Sequence, residues 1–194
     1  MRAVARWLNR ISSGRLSPDT VTIFGLLMHI PIAVLIGLGG YNVLAAVMLV
    51  VFGLMDTLDG ELARLQNRAS ERGMLLDAST DRMKETLLYV GIAYALAQGG
   101  HPETAAFAAA ACGASLCVSY VKAKGEAAVA SSSKHIPHAQ LNRLFKDGLL
   151  TFEMRMAVLT IGLLTSQLAS AAACIAVFAA GTAIGRLVRI SKAL

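Results

Sequence analysis

Charged residues are scarce in this sequence. Asp, Glu, Lys and Arg make up 15% of its 194 residues, whereas hydrophobic residues make up 56%. A chain with so few charges is too apolar for an ordinary soluble domain. The composition therefore argues against that class and predicts that much of the chain lies in a lipid bilayer.

The sequence also lacks the cysteine patterns of disulfide scaffolds and thiolate metal sites. Its three cysteines, Cys112, Cys117 and Cys174, lie inside apolar stretches with no C-x-x-C spacing. Such cysteines usually behave as small hydrophobic residues. We interpret all three as packing residues.

Lys and Arg are missing from every second connection between the apolar stretches. The connections without them are residues 39–40, 99–104 and 166–170, and the 18 basic residues fall on the other side. Because short cytoplasmic loops collect positive charge, this pattern predicts that both termini are cytoplasmic. The net charge of +6 then indicates anionic lipid head groups as the partner, and we expect no nucleic-acid binding.

The sequence predicts an all-α, polytopic integral membrane protein. A helix needs about 20 mostly apolar residues to cross the hydrocarbon core of a bilayer. Six such helices are predicted within a membrane domain of residues 17–194, at residues 21–39, 41–58, 74–97, 105–121, 149–168 and 169–187. Residues 1–16 are predicted to form an amphipathic interfacial helix, because its apolar residues share one face and arginines occupy the others. The apolar residues are Val4, Trp7, Leu8 and Ile11.

A loop is predicted at residues 130–142, which are rich in Ser and His and contain Pro137. It would connect the fourth and fifth spans on the cytoplasmic side. His135 and His138 could bind a ligand there, but a solvated loop is the favoured interpretation.

Four carboxylates lie at or just inside the predicted spans, where an ionised Asp is costly. Asp56 and Asp59 are three residues apart, and Asp77 and Asp81 are four apart, so each pair lies on one face of a helix. Two such pairs on adjacent helices would form an all-oxygen cage suited to Mg²⁺ or Mn²⁺, with room for two ions. The alternative is a set of structural ion pairs with the neighbouring arginines. Four acids in paired spacing favour the metal interpretation.

Small residues accompany the acids. Gly60 follows Asp59 directly, Ala63 lies one turn further on, and Gly73 lies four residues before Asp77. Since a glycine inside a helix costs about 1 kcal/mol, these positions indicate space for a ligand beside the metals.

Residues 56–81, DTLDGELARLQNRASERGMLLDASTD, match the pattern D-x2-D-G-x2-A-R-x8-G-x3-D-x3-D at every fixed position. The segment thereby resembles the signature of the CDP-alcohol phosphatidyltransferase family. The resemblance implies that Asp56, Asp59, Asp77 and Asp81 hold two divalent metals, and that Asp81 is also the general base. It further implies a CDP-lipid site and a homodimer. The residues at the CDP-lipid positions are Pro18, Asp19, Thr22, Asp56, Gly60, Ala63, Arg64, Ser70 and Gly73.

The sequence around the last two aspartates, LLDASTDRMKE, resembles the phosphatidylinositol-phosphate and archaetidylinositol-phosphate synthase branch of that family, as does SYVKAK at residues 119–124. This resemblance implies transfer of a phosphatidyl group from CDP-diacylglycerol to inositol 1-phosphate, with release of CMP. The acceptor phosphate would need cations near the acids. Its candidate ligands are Ser119, Lys122, Lys124, Arg155, Arg186 and Arg189.

Two alternatives remain open at this point. The same chemistry could use glycerol 3-phosphate, serine or free inositol as the acceptor. In a different class, the four aspartates could form the cation site of a divalent-cation transport protein. If the protein is an enzyme, whichever acceptor it uses, we expect a multi-pass protein of the plasma membrane whose active site faces the cytoplasm.

Overall fold

The computed structural model describes residues 1–100, 102–132, 148 and 150–194. Within these residues the chain is helical and contains no strand, which confirms the all-α prediction for this part. The helices are α1 (Arg2–Ile11), α2 (Pro18–Leu38), α3 (Asn42–Gly53), α4 (Met55–Leu65), α5 (Glu71–Gln98), a short 3-10 helix (Pro102–Thr104), α6 (Ala105–Ser131), α7 (Phe152–Leu164) and α8 (Leu168–Ala193). His135 and His138 lie outside the described residues.

The chain divides into two compact units, Met1–Ala95 and Leu96–Leu194. The first unit contains α1 to α4 and nearly all of α5. The second contains α6, α7 and α8.

Four helical segments of the described chain are long and apolar enough to cross a membrane, namely Pro18–Leu38, Asn42–Leu65, Pro102–Ser131 and Leu168–Ala193. They correspond to four of the six predicted spans. The predicted span at 74–97 coincides with α5, which has 28 residues but carries acidic and basic side chains along its first half. The predicted span at 149–168 coincides with α7, which has only 13 residues. Six crossings therefore remain a prediction.

Helix α2 is apolar on its outer face and partly polar on its inner face. Thr22 and His29 are buried, with 5% and 2% of their surfaces exposed. Side chains on the opposite face are between 44% and 67% exposed, and they include Ile23, Phe24, Leu27, Ile30, Val34 and Leu38. This distribution is the reverse of that on a soluble helix, and it suits a helix surrounded by lipid.

Helix α1 is shorter than the predicted interfacial segment. It ends at Ile11, and Ser13 and Gly14 follow with φ values of 50° and 73° that turn the chain toward α2. Three predicted lipid-facing residues of α1, namely Val4, Trp7 and Ile11, are 46%, 61% and 64% exposed. Leu8 is partly buried and packs against the first unit's apolar cluster, which includes Ala5.

Polar contacts fix the ends of α4 and α5. The Gln66 amide at the end of α4 donates to Asn9 Oδ1 and to the carbonyl of Leu16, both at 2.9 Å. At the start of α5, the backbone amide of Gly73 donates to Ser70 Oγ at 3.1 Å, an N-terminal capping bond. These bonds hold the two helices that carry the aspartates.

Helices α2 and α5 approach closely at a glycine. A Cβ atom on Gly91 of α5 would collide with the backbone carbonyl oxygen of Ala33 on α2. Only glycine permits this separation of the two backbones.

In the second unit, α8 packs along α6 and against α7. The α6 side of this packing includes Ala108, Ala111 and Ser115, all with no exposed surface. Small side chains therefore allow the close packing that the run at residues 105–115 predicts.

Candidate active site

The four aspartates project from two helices of the first unit. Asp56 and Asp59 lie on α4, and Asp77 and Asp81 lie on α5. The carboxylate of Asp77 interacts electrostatically with the other three. The fold thus brings both predicted pairs into one electrostatic cluster.

Lys84 of α5 lies within this cluster, with 1% of its surface exposed. Its ammonium group donates to Asp56 Oδ1 and, at 3.3 Å, to Asp81 Oδ1. Lys84 is not among the residues predicted for the site. Its position three residues after Asp81, within a predicted span, was the available signal, because residues three apart share a helix face.

Thr22 joins α2 to the acidic cluster. Its hydroxyl lies 2.5 Å from Asp59 Oδ2, to which it donates, and both residues are 5% exposed. The predicted donor-site residue Thr22 and the predicted metal ligand Asp59 are therefore in direct contact.

The donor set matches the chemistry of a hard divalent cation, since it consists of carboxylate oxygens alone. Oδ1 of Asp77 is buried and has no hydrogen-bond partner among the described residues. Because buried polar atoms normally have a partner, this oxygen is available to bind a cation. In the part of the chain that the structure describes, no three His, Cys, Asp or Glu side chains converge closely enough to hold a metal. Lys84 instead engages Asp56 and Asp81. The residue types at this site suit a divalent metal, and the Lys84 ammonium group contacts two of the four candidate carboxylates.

A cavity of about 300 Å³ opens beside the acids in the first unit. It is lined by Pro18, Asp19, Thr22, Asp59, Gly60, Ala63, Arg64, Arg68, Ala69, Ser70, Gly73, Met74 and Asp77. Every residue predicted for the CDP-lipid site except Asp56 is in this set. Arg68, Ala69 and Met74 were missed, because the signature leaves their positions unspecified.

Two arginines near the cavity are held by acids. Arg64 Nη2 lies 2.9 Å from Glu61 Oε1, and Arg72 Nη2 lies 3.7 Å from Asp19 Oδ2. Both arginine side chains are largely exposed. The cavity therefore combines small residues, carboxylates and accessible guanidinium groups, which is a surface suited to a phosphate-bearing ligand with its cations.

The predicted acceptor ligands belong to the second unit, where two of them are buried. Arg155 is 1% exposed, and its Nη1 donates to the carbonyl of Leu150 at 3.3 Å. Arg186 is 5% exposed and donates to the carbonyl of Val118 at 3.0 Å. Nε of Arg186 is buried with no hydrogen-bond partner within the described residues. Arg155 also interacts electrostatically with Arg186.

The other acceptor candidates are more accessible. Lys122 and Lys124 are exposed, and Lys122 pairs with Glu126 at 3.9 Å. Arg189 is also exposed, and it interacts electrostatically with Arg186. The hydroxyl of Ser119 lies 3.4 Å from the carbonyl of Ser115. Of the predicted set, Arg155 and Arg186 are therefore buried, Ser119 is half-buried, and Lys122, Lys124 and Arg189 are exposed.

Residues 15–184 match the family model described as CDP-alcohol phosphatidyltransferase. The chain belongs to this family. The match covers most of the sequence, from the end of the α1–α2 connection into α8, and it includes both acid-bearing helices.

Part of the chain is similar to curated proteins with known names. A phosphatidylinositol phosphate synthase of Mycobacteroides abscessus is 32% identical over 112 residues, which is 57% of this chain and 51% of the relative. A bifunctional IPC transferase and DIPP synthase of Rubrobacter xylanophilus is 33% identical over 147 residues, 76% of this chain and 31% of the relative. The matched region therefore spans about half, or less, of the length of these relatives.

Solved structures share the fold. The phosphatidylinositol phosphate synthase of Mycobacterium tuberculosis with CDP-DAG bound superimposes with a TM-score of 0.81 at 24% identity, covering 97% of this chain and 92% of that one. The same enzyme in complex with manganese and citrate gives a TM-score of 0.74 at 23% identity, covering 97% and 88%. At these identities the likeness establishes the fold.

Proposed function

We propose that the protein transfers a phosphatidyl group from CDP-diacylglycerol to inositol 1-phosphate, forming phosphatidylinositol phosphate and CMP. The observation that carries this proposal is the cavity beside the acids, whose lining includes eight of the nine positions expected for a CDP-lipid, from Pro18 to Gly73. Family membership and the names of the relatives support the same reaction.

The donor would bind with its diphosphate at the acids. Gly60 and Ala63 leave space for the ligand beside α4, and Arg64 offers a guanidinium group at the cavity wall. The hydroxyl of Thr22 orients the Asp59 carboxylate that shares this wall. Binding the nucleotide end here would fix the phosphorus atom relative to α4 and α5.

We assign two divalent cations, Mg²⁺ or Mn²⁺, to Asp56, Asp59, Asp77 and Asp81. Bound there, they would neutralise the diphosphate and the charge that develops on departing CMP. The solved relative that contains manganese supports this assignment.

Asp81 is proposed as the general base. It would accept the proton of the attacking hydroxyl as that oxygen forms its bond to phosphorus and the bond to CMP breaks. Asp81 is tied to Lys84 and lies 3.8 Å from Arg82 Nη2. These two contacts limit the rotation of the carboxylate.

The buried arginines of the second unit support a phosphorylated acceptor. Burying the Arg186 guanidinium beside the charges of Arg189 and Arg155 costs free energy, which Glu126 offsets in part and a bound phosphate would offset further. Arg186 keeps an unpaired Nε among the described residues, and a phosphate oxygen would satisfy it. We therefore assign Arg155 and Arg186 to the acceptor phosphate, with Ser119, Lys122, Lys124 and Arg189 as accessory contacts.

The proposed setting is the plasma membrane. We propose six crossings with both termini and the active site on the cytoplasmic side, α1 in the interface, and a homodimeric assembly. The exposed apolar surface of α2 and the exposed Trp7 support membrane residence.

The reaction can be tested by measuring CMP release from purified protein with Mg²⁺ and CDP-diacylglycerol. Inositol 1-phosphate, inositol, glycerol 3-phosphate and serine would be compared as acceptors. We expect release with inositol 1-phosphate alone. Release with another acceptor would replace the acceptor assignment, and the absence of release with CDP-diacylglycerol and any acceptor would contradict the proposal.

A further inference from the structure

A buried lysine reaches into the acidic cluster from the helix that bears two of the acids. Lys84 is 1% exposed, and its ammonium group contacts one oxygen of Asp56 on α4 and one of Asp81 on α5. Lys84 therefore links α5 to α4, because its ammonium group contacts one aspartate from each predicted pair.

The burial of this ammonium group depends on the acids. A buried cation is tolerated only where opposite charge and hydrogen bonds replace its water. The lysine stem runs beside Gly25 of α2, where an added Cβ would lie 3.8 Å from Lys84 Cε and 3.9 Å from Asp56 Oδ1. The Lys84 stem therefore lies beside a residue without a side chain, and its ammonium group lies between two carboxylates.

The neighbouring cation is placed differently. Arg82 contacts the other oxygen of Asp81 at 3.8 Å and Glu85 at 4.0 Å, and its side chain is 25% exposed. Of these two cations on α5, Lys84 is the one that contacts Asp56. Its contacts join two of the carboxylates that the proposed function assigns to divalent metal.

We propose that Lys84 is an internal counter-ion that competes with divalent metal for Asp56 and Asp81. The inference rests on the proposed metal site. An ammonium group in contact with the ligand oxygens opposes a divalent cation there in two ways, because it occupies their lone pairs and repels the incoming charge. Metal binding must therefore move the Lys84 ammonium away from at least one carboxylate. Lys84 is a positioning residue that sets the metal concentration at which the site fills.

The test uses Mn²⁺ alone as the probe, with the full chain in lipid nanodiscs and no CDP-lipid. Free Mn²⁺ would be followed by electron paramagnetic resonance during titration of wild type, Lys84→Met, Lys84→Arg and Arg82→Met. We expect Lys84→Met to bind Mn²⁺ on the order of tenfold more tightly than wild type. The Mn²⁺ affinity of Lys84→Arg should stay close to that of wild type, because this variant keeps the positive charge. Arg82→Met should gain less Mn²⁺ affinity than Lys84→Met, because Arg82 is more exposed to solvent.

A second readout is thermal unfolding with and without Mn²⁺. Ligand that binds only the folded state raises the melting temperature more when it binds more tightly, so Mn²⁺ should protect Lys84→Met more than wild type. If Lys84→Met does not fold, Lys84→Gln gives the same comparison with a polar side chain. Equal or weaker Mn²⁺ binding in the neutral variants would overturn the inference.

Asp77→Asn separates failure of this inference from failure of the proposed function. If wild type and Lys84→Met bind Mn²⁺ alike while Asp77→Asn does not bind it, the metal site stands and the role of Lys84 is wrong. If neither wild type nor Lys84→Met binds Mn²⁺, the proposed metal site is wrong and the competition fails with it.

Discussion

Thr22 donates a hydrogen bond to Asp59 across 37 residues of sequence, with 2.5 Å between its Oγ1 and the carboxylate Oδ2. Both side chains are buried in the first unit. The bond connects the start of α2 to α4 and restricts the rotation of a proposed metal ligand. Under the proposed function, this bond would make Thr22 a positioning residue for a metal ligand.

We expect Thr22→Val to lower the free energy of unfolding by about 1 to 3 kcal/mol, because the buried Asp59 oxygen loses its donor. The apparent Mg²⁺ requirement should also rise, since the carboxylate is no longer oriented. Thr22→Ser keeps the hydroxyl and should stay near wild type in Mg²⁺ titrations of CMP release. Equal behaviour of Val and Ser variants would show that the bond contributes nothing.

Asp81→Asn should abolish turnover and spare much of the CDP-lipid binding. The amide cannot accept the proton of the attacking hydroxyl, and loss of a general base costs roughly 10²- to 10⁴-fold in rate. Single-turnover CMP release and binding of CDP-diacylglycerol would be measured separately. Glu71→Gln removes an exposed carboxylate from the start of the same helix and serves as the control. Wild-type turnover in Asp81→Asn would remove Asp81 from the role of base.

Arg186→Gln should raise KM for inositol 1-phosphate by roughly 10- to 100-fold, the range expected when a charge-assisted hydrogen bond is lost. KM for CDP-diacylglycerol should change little, because the donor cavity is lined by residues of the first unit. Lys192→Gln removes an exposed cation from the end of the same helix. A similar rise in KM in this control would mean that general surface charge, rather than Arg186, attracts the acceptor.

Much of the donor site was predictable because helical periodicity decides which residues share a face. Asp56 and Asp59, like Asp77 and Asp81, have spacings that fix their direction once each helix forms. Gly60, Ala63 and Gly73 were predicted from their positions relative to these aspartates, and all three line the cavity. The family resemblance added Pro18, Asp19, Thr22, Arg64 and Ser70, which helical spacing alone does not indicate.

Lys84 could not be placed from sequence alone. A lysine inside an apolar stretch can extend toward the head groups or turn inward, and the stem is long enough for both. Gly25 and the Asp56 carboxylate, from two other helices, border the inward path. The packing of Leu8 against the apolar cluster of Ala5, Val21, Leu58 and Leu62 likewise depends on contacts between helices, which the sequence of α1 alone does not specify.

We predict that cross-linking in lipid vesicles will capture a homodimer. Small residues on a helix allow close approach to another helix in lipid, and the described part of α6 leaves Gly113 open, with no atom within 4 Å of a Cβ placed there. The dimer fraction should persist when the lipid-to-protein ratio is raised, whereas collisional cross-links should decline. Recovery of monomer alone would contradict the prediction.

Gly91→Ala should destabilise the first unit because the added methyl group would collide with the Ala33 carbonyl of α2. Overpacking of this kind typically costs about 1 to 3 kcal/mol, and a backbone atom cannot move aside as a flexible side chain can. The loss would appear as a lower melting temperature in thermal unfolding. Gly113→Ala adds the same methyl group in the middle of α6, where it meets open space, so its stability should equal that of wild type or exceed it by up to about 1 kcal/mol. If both variants lost the same stability, the cause would be a general property of glycine in these helices. A loss confined to Gly91→Ala would locate the cause in the close approach of α2 and α5 at Ala33 and Gly91.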